Sequence, residues 1–498
     1  MPGSRRLRGW LSVALAATAL GAAAPDTRLA DAARVGDREA VNKLIASGVA
    51  IDAPEQDGTT ALHWAVYNDD LAMTGRLLDA GANVNAVNRN GATPLTLACT
   101  NRGAAVVDRL LKAGADAGLA PEGAPPLLAC ARAGAVPAVQ MLIARGADVN
   151  VKDSWRGQTA LMWAASEDHA ELIEALLAGG AAVDARSTGN FTALMFAVRQ
   201  DAREAARLLI AAGADVNLPG PNGQDLLRLA ITNRHYTLAA TLLDAGAQPW
   251  TRNRQGSTAL HDLVTSRSPQ RQANNQFIAA GEDESPQLSS LELMKMLVTY
   301  GAEPNARTEP APIVHERWTD KGIYSAARPF MDNGVNLGGA TPYLLAAQAA
   351  DVEAMRLLQT LGADPRIATF ANNTAVMLAA GIGYVEGSRR YRSERDALEA
   401  VKLAAGAGVD VNALNANGQT ALHGAVYRAG STIIRYLVEA GARTDFQDEL
   451  ERTPLKLAEQ GFNQVASLIR REAAAGLLKE LGAKPTPPAR MPTVPDVQ

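Results

Sequence analysis

Aromatic side chains make up only 4% of this 498-residue chain, and cysteine occurs twice. Scarce rings and abundant alanine suit thin helices packed closely together. Two isolated cysteines, with no paired-Cys motif, leave zinc chemistry without support. There is no Gly-x-Ser-x-Gly elbow and no Walker loop, so nucleophilic and nucleotide chemistry lack a motif as well. Positive charge is in short supply too. The formal net charge is −4, and loss of Arg5, Arg6 and Arg8 with a leader would lower it to −7, a balance that argues against nucleic acid, which needs a basic surface to displace counterions. Beyond the first 24 residues no apolar run approaches the ~20 residues of a spanning helix.

What the chain has is a recurring step of Gly followed by Ala, or by Val at Gly48 and Gly408: Gly48, Gly81, Gly114, Gly146, Gly180, Gly213, Gly246, Gly301, Gly362, Gly408 and Gly441. Seven of the ten intervals are 32 to 34 residues. A fixed period of that length means a solenoid of stacked units, because one such unit cannot bury a hydrophobic face alone. Twelve residues after most of these glycines comes a threonine (Thr60, Thr93, Thr192, Thr258, Thr374, Thr420, Thr453) that opens an apolar run. Thr93-Pro94 shows why: the hydroxyl caps an orphan N–H, and proline at the first helical position loses no bond. Pro125 and Asp225 replace the threonine and also start helices. A second helix, typified by Val107, Leu110 and Leu111 on one face, ends at the next glycine in a left-handed conformation. The Asn-, Asp- and Gly-rich stretch between units reads as a turn or short hairpin. Asn190 and Asn372 fill the turn-glycine slot, which Asn tolerates best among other residues.

Asp-Gly-Thr-Thr-Ala-Leu-His (57–63), Asn-Gly-Ala-Thr-Pro-Leu (90–95), Asn-Gly-Gln-Thr-Ala-Leu-His (417–423) and Gly-Ala-Asp-Val-Asn (213–217) resemble the signature of ankyrin-repeat proteins. The resemblance covers roughly residues 26 to 474. It implies a mainly α solenoid of about twelve helix-turn-helix units joined by short β-hairpin or finger turns. In that family the imidazole of the Thr-x-Leu-His motif ties one turn to the next, a role that falls on His63, His261 and His423. His169 and His235 take the usual start of a second helix, and His315 stands alone. Cys99 and Cys130 lie in the first helices of neighbouring units, where stacking at ~10 Å exceeds the separation of about 7 Å that a disulfide allows. They are expected as two buried thiols. Gln359, where other units carry an apolar residue, is expected to bond to an inserted loop.

The rhythm breaks between units eight and ten, at inserts near 266–289, 307–334 and 384–396. The first is polar. The third is basic and should lengthen the second helix of its unit; the two leave from the same edge and are placed to meet over the ninth unit. The second concentrates Trp318, Tyr324 and Phe330. Two readings stand for that cluster: a partner-binding surface, or a plug that fills a gap in the stack.

Residues 1–24 read as a targeting segment, with arginines, then Trp10 to Leu20, then small residues for cleavage. The domain plan is therefore a signal peptide at 1–24, a repeat domain at 25–475 and a proline-rich disordered tail at 476–498. The family binds through a concave face made by finger tips and first helices, which nominates Tyr67, Arg89, Trp155, Arg156, Arg199, Arg254, Phe370, Tyr427 and Arg428, with Trp318, Tyr324 and Phe330 from the insert. Aromatics and arginines are the residue types that dominate interfaces. The expectation is a monomeric periplasmic or secreted scaffold for a protein partner, with no catalytic residues, no cofactor, no metal, no nucleic acid and no membrane span after leader removal. The alternatives are a host-directed effector, or an accessory subunit of an envelope enzyme.

Overall fold

The computed structural model describes residues 26–120, 125–267, 288–310, 335–384, 392–460 and 465–485. Within these the chain forms two compact units, divided between Trp155 and Arg156. The first holds four helix pairs: Arg28–Arg34 with Arg38–Ala46, Ala61–Tyr67 with Leu71–Asp79, Pro94–Thr100 with Ala104–Lys112, and Pro126–Ala133 with Val136–Ala144. The second holds eight. Its fifth to eighth pairs, counted along the chain, are Ala160–Ser166 with Ala170–Ala178, Ala193–Gln200 with Arg203–Ala211, Leu226–Thr232 with Tyr236–Asp244, and Ala259–Ser266 with Ser290–Thr299. The ninth to twelfth are Pro342–Gln348 with Val352–Thr360, Ala375–Ala380 with Glu394–Gly406, Ala421–Arg428 with Ser431–Glu439, and Pro454–Glu459 with Val465–Glu480.

Local chemistry sets these boundaries. The Thr93 hydroxyl accepts the Thr96 amide at 3.1 Å, and the Asp225 carboxylate accepts the Arg228 amide at 2.7 Å. Each of the eleven recurring glycines sits beyond a second helix with φ between +77° and +103°, a region closed to most side chains. Asn190 and Asn372 adopt φ of +64° and +58°. Between pairs, the asparagine of the Gly-Ala-Asp-Val-Asn pattern spans the gap: Asn217 donates to the Gly246 carbonyl at 3.0 Å and accepts the Gln248 amide at 3.0 Å. Asn412 repeats this with Gly441 and Arg443.

The histidine ties hold. His63 Nδ1 accepts the Thr60 amide at 3.2 Å, which leaves the proton on Nε2 for the Ala92 carbonyl of the next finger at 3.1 Å. His261 reaches Ala340 and His423 reaches Arg452 in the same way. His169 and His235 precede the second helices of the fifth and seventh pairs.

Several expectations need correction. Among the described residues the fingers form no β-strands. Each closes in a tight turn, such as Asn253 to Ser257 at 3.0 Å, and single backbone bonds join neighbours, such as Glu309 to Gln255 at 2.8 Å. Cys99 and Cys130 are not free thiols. They form a disulfide with Cα atoms 4.3 Å apart, both sulfurs fully buried. The residues beside them in their helices, Ala98 and Ala131, are small and buried, which leaves room for the two backbones to come this close at the cysteines. Gln359 bonds to the Tyr343 hydroxyl of its own helix pair, at 3.0 Å, rather than to an insert. The last helix runs to Glu480, followed by Gly482 at φ +91° and buried Ala483, so the array passes the boundary placed at 475. The third insert does lengthen its helix: Glu394–Gly406 has 13 residues where other second helices commonly have nine, and a Ser393–Asp396 capping box starts it.

Candidate functional site

Which of the nominated side chains reach solvent depends on what the neighbouring pair lays over them. In the first unit Tyr67 ends a first helix 59% exposed, edge-on to Trp64 at 5.7 Å. Trp64 is held by a bond from its indole N–H to Glu55 at 3.0 Å, with the Arg34 guanidinium 6.0 Å from its ring. Arg89 is exposed on its finger tip, where its amide donates to Asp57 at 2.7 Å, and Trp155 is 91% exposed.

In the second unit Arg156 and Arg254 are exposed on finger tips. Arg199 lies over both Phe191 and Phe196, at 5.9 and 5.6 Å. Phe370 is 55% exposed at a finger tip, with the Arg307 guanidinium 4.3 Å from its ring centre. Arg307 is itself fixed by donating to the Gly339 and Ala368 carbonyls at 3.1 and 2.7 Å. Aromatic and guanidinium groups held in this manner lose little entropy on binding. Trp318, Tyr324 and Phe330 lie outside the described residues, as does residue 315.

Tyr427 and Arg428 do not belong to this surface. Both are buried; the Tyr427 hydroxyl accepts from Gln419 and Arg452 at 3.1 and 3.3 Å. Arg428 donates to the Arg392 carbonyl at 2.9 Å and stacks 4.9 Å from the Tyr384 ring. Arg428 is covered by described residues of the third insert, Tyr384 and Arg392, whereas Tyr427 is closed off by its own finger and the next. The backbone at Gly381 and Ile382, just before the insert, lies against the first helix of the eleventh pair. A Cβ at Gly424 would sit 2.8 Å from the Ile382 amide nitrogen. Reasoning from residue type also passed over Trp250, 51% exposed, which rests against Gly301. Its place one residue before a finger is the signal that would have found it.

Most of the two inserts expected to meet over the ninth pair lies outside the described residues, but one arginine of each, Arg267 and Arg392, reaches the same carboxylate there, Asp351. Arg267, which follows the first helix of the eighth pair, donates from Nε and Nη2 to Asp351 at 2.8 and 3.2 Å, and Arg392 pairs with the same carboxylate at 3.1 Å. Arg267 and Asp351 are 2% and 1% exposed. Arg267 also donates to the Ser290 hydroxyl and to Glu353. Asp351 in turn caps the helix Val352–Thr360 through the Ala354 amide at 3.2 Å. One buried carboxylate thus fixes three helix pairs.

A family model for ankyrin repeats matches residues 29–120, 127–220 and 391–485, more than half of the chain. The chain belongs to the ankyrin-repeat family. Ankyrin repeat and SAM domain-containing protein 6 of Rattus norvegicus is 41% identical over 71 residues, 14% of this chain and 8% of that protein. The E3 ubiquitin-protein ligase KEG of Arabidopsis thaliana is 26% identical over 190 residues, 35% of this chain and 11% of that protein. The chain therefore spans about a tenth of the length of these curated relatives. Among solved structures, the human ASB11 ankyrin repeat domain has a TM-score of 0.40 at 30% identity, covering 44% of this chain and 98% of that one. The ankyrin repeat domain of Bcl-3 has a TM-score of 0.38 at 28% identity, covering 41% and 94%.

The ankyrin histidines are not poised for chemistry. Burial pushes His261 down to about 4 and lowers His63 and His423, which fits neutral rings committed to hydrogen bonds. Among the described residues no group of His, Cys, Asp and Glu is arranged to hold a metal ion, and no helix is long and apolar enough to cross a membrane. What this array offers is a set of rigidly held aromatic and guanidinium groups on fingers and first-helix ends.

Proposed function

We propose that this ankyrin-repeat chain is a non-catalytic scaffold that binds a protein partner through its finger and first-helix face, and that it works outside the cytoplasm, in the periplasm or secreted. The observation that carries the binding reading is the Phe370–Arg307 pair: an aromatic ring left half in solvent while its stacking cation is held by two backbone carbonyls. Residues of these types, placed this way, are the anchors of protein interfaces. In the same reading Tyr67, Arg89 and Trp155 serve the first unit, Arg156, Arg199 and Arg254 the second, and Trp318, Tyr324 and Phe330 add anchors from the insert.

Export is supported by the residue pattern of positions 1–24 and by the disulfide that uses both cysteines of the chain. Disulfides persist in oxidising compartments and are rare in the cytosol. A fusion of residues 1–30 to a reporter active only outside the cytoplasm should give activity. Recovery of the full-length chain from the cytosol with both thiols reduced would reverse the assignment and favour a role inside a cell.

The binding reading is tested by affinity purification from the envelope fraction, followed by the identified partner's affinity for variants. Phe370→Ala should weaken it at least tenfold, and Trp318→Ala with Tyr324→Ala should do the same without shifting the denaturation midpoint. If the double variant instead unfolds early and binds normally, the insert is a plug.

A further inference from the structure

Three second helices of the last pairs lie side by side and differ in length: Glu394–Gly406 has 13 residues, Ser431–Glu439 nine, and Val465–Glu480 sixteen. The outward side of the short middle helix floors a trough of about 440 Å³. Leu398 and Lys402 wall it on one side and Leu477 on the other, while Ser431, Arg435 and Tyr436 line the floor. The volume is in the ~300–1,000 Å³ range of ligand clefts. Tyr436 is half-buried, with the Lys402 ammonium 6.0 Å from its ring. Arg435 is drawn toward Glu480 at 3.6 Å, across the trough from Lys402.

This lining is rich in hydrogen-bond donors. An ammonium, a guanidinium and hydroxyls, with the one carboxylate of Glu439, surround one aromatic ring and two leucines, and such a surface fits a ligand that presents free carbonyls beside apolar rings. A proline-rich stretch in extended polyproline conformation is that ligand: its carbonyls have no internal partners and its prolines bring no donor. Aromatic-lined grooves take such segments at low entropic cost because the conformation is preformed. The chain supplies one next door. Leu477 is in the trough wall, Ala483 is buried just beyond the same helix, and Thr-Pro-Pro-Ala-Arg-Met-Pro-Thr-Val-Pro-Asp-Val-Gln follows at 486–498. At ~3.1 Å per residue this stretch reaches on the order of 40 Å, well beyond the ~14 Å length of a nine-residue helix.

We propose that the proline-rich segment 486–498 occupies this trough, packing proline rings on Tyr436 and giving carbonyls to Ser431, Arg435 and Lys402. It is a second binding surface, on the second-helix side of the array, and goes beyond the partner-binding role of the fingers. The test compares the full chain with the same chain stopped after Pro485, using a fluorescein-labelled peptide of residues 484–498 as probe and anisotropy as readout. The shortened chain should bind the peptide saturably, and the full chain at least tenfold more weakly, because its own segment competes at an effective concentration on the order of millimolar. Tyr436→Ala in the shortened chain should weaken the peptide at least tenfold. Arg435→Glu, at an exposed position, is the second variant should Tyr436→Ala fail to fold. Replacing Pro487, Pro488 and Pro492 in the peptide by alanine should also weaken it. Absence of saturable binding to the shortened chain, equal binding by both chains, or indifference to the folded trough variants overturns the proposal. Dimerisation of the full chain but not of the shortened one overturns it in favour of a segment exchanged between copies.

Discussion

Asp351→Asn removes one charge from the most buried ion cluster described and little else. The amide keeps the shape of the carboxylate, and Asn is as good a helix cap as Asp, so the bond to the Ala354 amide survives. What is lost is the anion between two guanidinium groups. Arg267 is 2% exposed and Arg392 15%, so neither can turn to water without unpacking the pairs that hold it. Breaking a buried pair by removing one partner costs about 3–5 kcal/mol, most of it from the charge left behind. Asp351→Ala should cost about 1 kcal/mol more, since the cap goes too. Arg267→Met should cost less than either, because Asp351 keeps Arg392 and the methionine fills much of the space. Arg267→Met combined with Asp351→Asn should cost less than the sum of the two. Glu353, 68% exposed at the rim, should matter little. A stacked array unfolds in parts, so urea denaturation is best read together with hydrogen exchange at Ala259–Ser266 and Val352–Thr360, the helices the cluster joins. Destabilisation below 1 kcal/mol by Asp351→Asn, with exchange at both helices unchanged, would refute this account of the cluster.

Acid should loosen the array: His261 falls from an ordinary 6.5 to about 4 on folding, so the unfolded chain binds more protons and stability drops as pH falls below 6.5. His261 alone should remove about 2 kcal/mol between pH 7.5 and 5, read from urea midpoints, with His63 and His423 adding in the same direction. Gly213→Ala should cost about 1 kcal/mol, because φ is +88° with open space around the new methyl group; Gly256→Ala should cost clearly more, as its Cβ would lie 2.4 Å from the Glu309 amide nitrogen. Equal urea midpoints for the two would contradict the finger packing. Cys99→Ala with Cys130→Ala should lose roughly 4 kcal/mol by the loop-closure estimate for a separation of 31 residues. Alkylation of the unreduced, unfolded chain that labels two thiols would show the bond is absent.

Much of the fold was legible because each unit repeats its own punctuation. The threonine caps, the glycines with positive φ and the histidine ties are local, and a residue such as Gly213 needs only its neighbours to declare its conformation. The distances between units were less legible. Cys99 and Cys130 looked too far apart on general helix spacing, yet alanine-rich first helices approach closely enough to join them. Gln359 was assigned to an inserted loop because nothing local marks its partner, Tyr343, in the opposite helix of the same pair. The last Gly-Ala step at Gly482 was hidden by its distance of 41 residues from Gly441.

The candidate surface shows the same division at one repeat position. Tyr67, Arg199 and Tyr427 each stand seven residues after the capping threonine, so any map carried over by repeat position treats them alike. Tyr67 and Arg199 are exposed, whereas Tyr427 is 6% exposed, bonded to Gln419 and Arg452. At the neighbouring position the third insert does the covering: Arg428 lies under its residues Arg392 and Tyr384, while Gly424 admits the backbone at Gly381 and Ile382, just before the insert, only because it has no side chain. An insertion therefore does two things to an ankyrin array. It adds residues of its own, and it withdraws the positions beneath its stems from solvent. On these grounds Gly424→Ala should disturb the eleventh pair and expose Arg428, whereas alanine at Tyr67 should leave the second pair's stability nearly unchanged. Comparable loss of stability in the two variants would mean that the repeat position, not the insert, decides what the surface presents.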